Sequence, residues 1–182
     1  MATELEAKFA VESFTSVRKM LKTSGAVYLG KCEEYDEFFD TPDRAFYSSR
    51  SALRLRRIKI LRGVAGGKQG GWLLTMKGSK KPRKRVKIRQ ETQTVVADGE
   101  AVRSIFEALG LQIYATLAKK RASYRLGKCL VELDDLSGLG KFVEIEGPSE
   151  RQVELVRRKL QLPDEPNIRS YLAMVTEKKT AS

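Results

Sequence analysis

Five segments of this chain alternate ionisable and apolar residues with a period of two. Glu4, Glu6 and Lys8 fall on one parity and Leu5, Ala7 and Phe9 on the other. Arg54 and Arg56 alternate with Leu53 and Leu55, and Arg85, Lys87, Arg89 and Glu91 flank Val86 and Ile88. Glu132 and Asp134 alternate with Val131 and Leu133, and Glu144 and Glu146 with Val143 and Ile145. Successive side chains of a β-strand point to opposite faces, so each segment reads as a strand with one charged and one apolar face.

The same reading extends to eight strands, over residues 4–9, 26–39, 51–60, 72–77, 85–96, 112–126, 128–136 and 141–147. Leu126-Gly127-Lys128 and Ser137-Gly138-Leu139-Gly140 are hairpin turns, which favours antiparallel pairing over parallel crossovers. Four helices punctuate the strands. Residues 13–24 present Phe14, Val17, Met20 and Leu21, and residues 98–109 start at the capping Asp98 and present Val102, Ile105, Phe106 and Leu109. A third opens on the capping-box pattern Ser149-Glu150-Arg151-Gln152 and carries Val153, Val156 and Leu160 up to Pro163. The last, 168–177, puts Ile168, Tyr171, Leu172 and Val175 on one side. The expected architecture is α+β: an eight-stranded antiparallel β-barrel with flanking helices, one domain over residues 1–177, and a frayed tail at 178–182.

Charge then separates two arrangements of such a barrel. With 35 Lys and Arg against 23 Asp and Glu the chain is strongly basic, yet 41% hydrophobic residues give it material for a core. The charged faces could lie in solvent, as in most antiparallel sheets. They could instead line the lumen, with the apolar faces outside under the helices. A lumen of many cations and several carboxylates would call for a polyanion and a divalent cation to complete it, because unpaired buried charge is costly.

Several chemistries are excluded. The chain has no histidine, so it holds no Ser-His-Asp triad, no histidine base and no histidine-containing zinc site. Cys32 and Cys129 are far apart and form no C-x-x-C, which suits reduced thiols in a cytoplasmic protein. No signal peptide or membrane span is expected. The glycine-rich stretch Gly63 to Gly71 reads as a hairpin loop; Gln69 follows Lys68 where a P-loop needs Ser or Thr. The run Lys80-Lys81-Pro82-Arg83-Lys84-Arg85 is a solvated loop or a lure for polyanions. It holds no aromatic residue for base stacking, so nucleic acid is not the expected partner. Trp72 and Tyr28 are assigned to packing.

In chain order the sequence also carries Glu4-Leu5-Glu6-Ala7-Lys8, Phe39-Asp40-Thr41-Pro42-Asp43, Ala52-Leu53-Arg54-Leu55-Arg56 and Leu74-Thr75-Met76-Lys77. Arg89-Gln90-Glu91, Lys119-Lys120-Arg121 with Tyr124, and Glu132-Leu133-Asp134 follow. Leu139-Gly140-Lys141-Phe142, Glu144-Ile145-Glu146 and Ser170-Tyr171-Leu172 complete the series. This succession resembles the CYTH or triphosphate tunnel metalloenzyme superfamily, which includes thiamine triphosphatases, inorganic triphosphatases and class IV adenylyl cyclases. The resemblance implies an open-ended barrel that grips a triphosphate through Lys8, Arg54, Arg56, Lys77, Lys119 and Arg121. The spacing to Arg121 selects Lys119 over Lys120, and Arg169 is the nearest match to a basic residue that some members use near the C-terminus. By the same resemblance Lys8, Arg54, Arg56, Lys77, Glu91 and Lys119 make the catalytic set. Glu4, Glu6, Glu132, Asp134, Glu144 and Glu146 are the acidic set that supplies the ligands of Mg2+ or Mn2+, hard ions that prefer oxygen. The expected activity is metal-dependent hydrolysis of a small-molecule triphosphate by a monomer or homodimer, with an adenylyl cyclase as the nearest rival and a basic nucleic-acid-binding module as a more distant one.

Overall fold

A computed structural model describes the backbone at residues 2–63, 70–78, 81–82 and 87–180, and the side chains at 5–63, 70–78 and 90–178. The Glu4 side chain, most of the Gly63 to Gly71 loop and the basic run 80–85 except the backbone of 81–82 lie outside the described residues.

The eight expected strands all form. They are β1 (Ala2–Val11), β2 (Val27–Asp40), β3 (Ala52–Gly63), β4 (Gly71–Lys77), β6 (Lys87–Val96), β7 (Gln112–Leu126), β8 (Cys129–Leu136) and β9 (Gly140–Glu146). The two-residue β5 (Lys81–Pro82), not foreseen, continues the β4–β6 hairpin along the same edge of β6. All pairings are antiparallel, in the order β1-β9-β8-β7-β2-β3-β4-β6. β1 also pairs with β6, from Ala2 opposite Glu91 to Glu6 opposite Lys87, so the two ends of the sheet meet and it curls into a barrel. Gly127 and Gly138 turn the β7–β8 and β8–β9 hairpins with φ of 60° and 72°, a conformation that favours glycine.

The apolar faces point outward. Ala7 and Phe9 of β1, Val131 and Leu133 of β8, and Val143 and Ile145 of β9 are buried under α1 (Thr15–Thr23) and α4 (Glu150–Lys159), against Phe14, Val17, Leu21, Val153, Val156 and Leu160. On the other side α3 (Gly99–Ala108) covers β2 to β4: Phe106 packs edge-on to Phe39 at 5.0 Å, and the start of the helix lies against Trp72. Asp98 caps α3 by accepting from Glu100 N and Ala101 N, and Ser149 caps α4 by accepting from Gln152 N, as the sequence indicates. The apolar stripe expected on α3 is only half used, because Ile105 and Leu109 are exposed while Val102 and Phe106 turn inward.

The Phe39-to-Asp43 motif has a local explanation. The buried Asp40 carboxylate accepts from the backbone N–H groups of Thr41, Phe46 and Tyr47, at 2.8, 2.9 and 2.9 Å. It thereby folds the β2–β3 connection around the short α2 (Ala45–Ser48), an unforeseen helix. The last helix, α5 (Tyr171–Thr180), starts three residues later than expected and leaves Ile168 exposed. Its Tyr171, Leu172, Met174 and Val175 pack with Phe38, Ala115, Leu117, Leu136 and Phe142, the inward apolar residues at one end of the barrel.

Candidate functional site: an ion-paired lumen

Strand register puts the charged residues on one face. Lys8 stands opposite Glu144, Glu144 opposite Glu132, and Glu132 opposite Ser123. Arg121 stands opposite Asp134, Lys119 opposite Glu34, Asp36 opposite Arg56, and Arg54 opposite Thr75. Paired residues share a face, and the other parity of each strand is spent on the outer core. The charges therefore occupy the lumen, and of the two arrangements the sequence allows, the inverted one holds.

Inside, the charges are buried and paired. Lys8, Arg54, Arg56, Lys119 and Arg121 are each at most 9% exposed. Five carboxylates answer them: Glu34, Asp36, Glu132 and Asp134, all buried, and Glu144, nearly so. Arg56 gives Nε and Nη2 to Asp36 at 2.5 and 2.7 Å and Nη1 to Glu34 at 2.6 Å. Lys119 bridges Glu34 at 3.2 Å and Asp134 at 3.0 Å. Arg121 binds Asp134 through Nε at 2.5 Å and again through Nη2, which also meets Glu144 at 2.6 Å, while Nη1 meets Glu132. The Tyr171 hydroxyl donates to Asp134 at 3.0 Å. Lys8 sits over the Tyr171 ring, 3.9 Å from its centroid, and donates to the carbonyl of Arg169.

Lys8 meets a carbonyl and an aromatic ring and Arg54 comes no nearer than 3.8 Å to Asp36, while the other lumen cations among the described residues are met by these carboxylates. Two of those, Glu34 and Asp36, were not among the expected site residues. Both parities of β2 carry acids, Glu33 and Glu37 outward against Glu34 and Asp36 inward, so alternation could not single them out. The step of two from Glu34 to Asp36, one strand before the Arg54/Arg56 pair, is the signal that could have found them; in register Asp36 faces Arg56 and Glu34 faces Ile58.

The electrostatics follow the pairing. Burial alone would raise the Asp134 carboxyl, but the charges of Arg121 and Lys119 outweigh it and hold the group below the usual carboxylate range. Asp36 is likewise held low by Arg56 and Arg54 against the effect of burial. Burial would lower Arg56, and the Asp36 and Glu34 carboxylates reverse this and raise it. Arg54 goes the other way: burial and the neighbouring Arg56 charge hold it below the ordinary guanidinium, its closest approach to Asp36 being 3.8 Å. Its Nη2 donates to Thr75 at 3.2 Å, and its Nε is buried with no hydrogen-bond partner among the described residues. Among the arginines of the described lumen, Arg54 is the one with a nitrogen left without a hydrogen-bond partner.

The remaining expected residues lie further out. Lys77 and Glu91 pair with each other, half-buried, across β4 and β6. Arg169 has a largely exposed side chain paired with Glu177. Glu6 is half-buried and Glu146 exposed, directly opposite each other between β1 and β9. Trp72 faces the outer layer, under Arg57 and against Gly99, and Tyr28 packs edge-on to Tyr124 at 5.2 Å, so packing accounts for both.

The donor chemistry suits a hard divalent cation. Glu132 faces Glu144 and Glu6 faces Glu146 in register, and like charges directly opposite on a sheet are unfavourable unless a cation stands between them. No three acidic side chains among the described residues stand together as a metal cage, and for Glu132 and Glu144 the intervening cation is the Arg121 guanidinium.

Comparison with known proteins agrees with this construction. The family model for the CYTH domain matches residues 2–170. The MJ0240 protein of Methanocaldococcus jannaschii, provisionally named an adenylate cyclase, is 31% identical over 143 residues, 79% of this chain and 75% of that protein. Adenylate cyclase CyaB of Aeromonas hydrophila is 26% identical over 165 residues, 88% of this chain and 77% of its own. The PH1819 protein of Pyrococcus horikoshii superposes with a TM-score of 0.79 at 25% identity, covering 96% of this chain and 99% of that one. HpAC1 from Hippeastrum, provisionally named an adenylyl cyclase and described as having a dominant triphosphatase activity, shares the fold with a TM-score of 0.73, 18% identity and 96% coverage of each chain. With its barrel, its charged lumen and a family match over nearly its whole length, the chain belongs to the CYTH domain family.

Proposed function

We propose that this protein is a metal-dependent phosphohydrolase that removes the terminal phosphoryl group of a triphosphate. The observation that supports it is the Arg54 guanidinium, buried in the lumen with an open Nε and beside a row of further cations. Arg54, Arg56, Lys119, Arg121 and Lys8 offer charge-assisted donors to successive phosphate oxygens, with Lys77 nearer the rim. Together they would offset the charge that develops on the transferred group. Arg169 joins them only if its side chain leaves Glu177.

The acidic set, Glu4, Glu6, Glu132, Asp134, Glu144 and Glu146, supplies the oxygen ligands. Mg2+ or Mn2+, when bound there, would orient the terminal phosphoryl group and lower the pKa of an attacking water. Glu91 restrains Lys77 and serves as an acceptor beside the reacting end. Two buried cysteines that form no disulfide, Cys32 and Cys129, fit a protein that works in the reducing cytoplasm.

The names of the relatives support a second reading. A cyclase would use the same cations to hold ATP while the ribose 3′-hydroxyl attacks the α-phosphate and pyrophosphate leaves. One assay separates the two. Purified protein is incubated with tripolyphosphate, thiamine triphosphate and ATP, with Mg2+ and with Mn2+, and products are resolved by chromatography. Orthophosphate from tripolyphosphate with negligible cyclic AMP from ATP is the expected result. Cyclic AMP and pyrophosphate as the main products, with tripolyphosphate left intact, would falsify the hydrolase reading.

A further inference from the structure

We infer that the Arg121 guanidinium holds the place of the divalent cation in the metal-free protein, so that metal binding releases Arg121 to the phosphate chain and the two ligands bind cooperatively. The inference rests on the triphosphate reading above and deepens it.

The geometry is that of a substitution. Glu132 and Glu144 are direct cross-strand neighbours on β8 and β9. The guanidinium sits between them, Nη1 on Glu132 and Nη2 on Glu144. It also engages Asp134 through Nε and Nη2, so all three nitrogens of this buried fork are committed to members of the acidic set. A planar fork can serve two or three carboxylates at once, which a single ammonium cannot. While it does so, four of its five N–H groups are taken by carboxylates and only one, on Nη1, is left for a phosphate. A divalent ion entering between Glu132 and Glu144 competes for the same oxygens and brings more charge than the guanidinium it displaces. The N–H groups given up by Glu132 and Glu144 then turn to a phosphate oxygen, while Asp134 keeps hold of Nε. Each ligand thus removes an obstacle to the other, and the coupling is reciprocal by linkage.

Arg54 provides the internal contrast. Among the described residues its Nε has no hydrogen-bond partner and its nearest carboxylate is 3.8 Å away, so it would meet an anion whether or not metal is present. Of these two arginines, Arg54 would bind phosphate with or without metal and Arg121 would contribute fully only once metal is bound.

The test needs no turnover. The probe is the bis-methylene analogue of tripolyphosphate, which cannot be hydrolysed, titrated calorimetrically with and without Mn2+ into wild type, Arg121→Lys and Arg54→Lys. For Arg121→Lys the analogue's affinity without metal should change less than threefold, while its affinity with Mn2+ should fall tenfold or more. For Arg54→Lys both affinities should fall by the same factor. A loss in Arg121→Lys that is equal with and without Mn2+ overturns the inference. Should Arg121→Lys fail to fold, wild type decides: with arginine labelled at 15Nε, Mg2+ alone should shift or broaden one protected buried Nε resonance. Mg2+ binding by calorimetry with every such resonance unmoved overturns it too. Failure of the analogue to bind wild type in the presence of Mn2+ refutes the triphosphate reading itself, whereas binding with unchanged coupling refutes only the displacement.

Discussion

Asp36 and Arg56, opposite each other across the β2–β3 pairing, form a two-pronged ion pair in which Nε and Nη2 meet the two carboxylate oxygens at 2.5 and 2.7 Å. Both are almost fully buried. Deleting one member of such a pair strands the other in a low dielectric, which typically costs about 3–5 kcal/mol. Glu34 still contacts Arg56, so Asp36→Asn should sit at the low end, near ~3 kcal/mol by denaturant unfolding. A loss under ~1 kcal/mol would show that Glu34 alone suffices.

Acid should unfold the protein through these same carboxylates. Asp36 and Asp134 titrate lower in the folded chain than in the unfolded one, because neighbouring guanidinium and ammonium charges outweigh burial. Their stabilisation is complete above the ordinary aspartate value of about 4 and is lost as pH falls below it, the unfolded chain taking up protons first. Urea midpoints should be flat from roughly pH 6 to 8 and drop below about pH 4. Asp36→Asn should give a shallower drop, and an unchanged acid limb would remove Asp36 from the account.

Arg54 is predicted to separate binding from stability. Its guanidinium is poorly compensated, so Arg54→Met should change stability by no more than about 1 kcal/mol. Tripolyphosphate should nevertheless bind about tenfold more weakly, the loss of one charge-assisted contact. The thermal shift produced by tripolyphosphate should shrink with it. Stability loss comparable to that of Arg56→Met, with affinity intact, would count against Arg54 as the open anion site.

Gly99 is required by shape. A Cβ there would overlap Cδ2, Cε3 and Cε2 of the Trp72 ring. Gly99→Ala must displace either the indole or the first turn of α3, at a cost of about 1–3 kcal/mol. Trp72 is the chain's one tryptophan, so its emission should shift in the same variant. An unshifted spectrum with unchanged melting temperature would contradict the packing.

Asp40→Ala removes the acceptor for three backbone N–H groups around α2. The loss should be about 2 kcal/mol or more, since charged acceptors contribute roughly 1.5–3 kcal/mol each and part of this loop can turn to water. Hydrogen exchange should rise at Phe46 and Tyr47 before it rises in the strands, and uniform protection would refute a local role.

The strands and the residues that share their charged faces were legible because a period of two survives where the two faces differ in chemistry; that those faces turn inward was decided by the closure of the sheet. β2 was legible as a strand and not as part of the site: acids on both of its faces cancel the alternation that betrayed Glu132 and Glu144. Helical periodicity marked Ile105 and Leu109 as apolar and could not say how deep the groove beneath α3 runs. Tyr171 read as a packing residue, since its hydroxyl finds Asp134 across 37 positions of sequence. The sign of each lumen charge was written in the chain, but its partner was fixed by register between strands.

A barrel with its greasy side outward divides its labour by residue parity. Even-numbered and odd-numbered positions of one strand answer to different demands, the outer layer to cohesion under the helices and the inner lining to the chemistry of the guest. Substitutions in the lining leave the outer packing intact, so one scaffold can exchange one reaction on a phosphate chain for another without having to be refolded around it. The freedom is bounded by charge: a lining residue can change only together with the opposite charge that balances it, so new activities on this frame should arise through paired replacements rather than single ones.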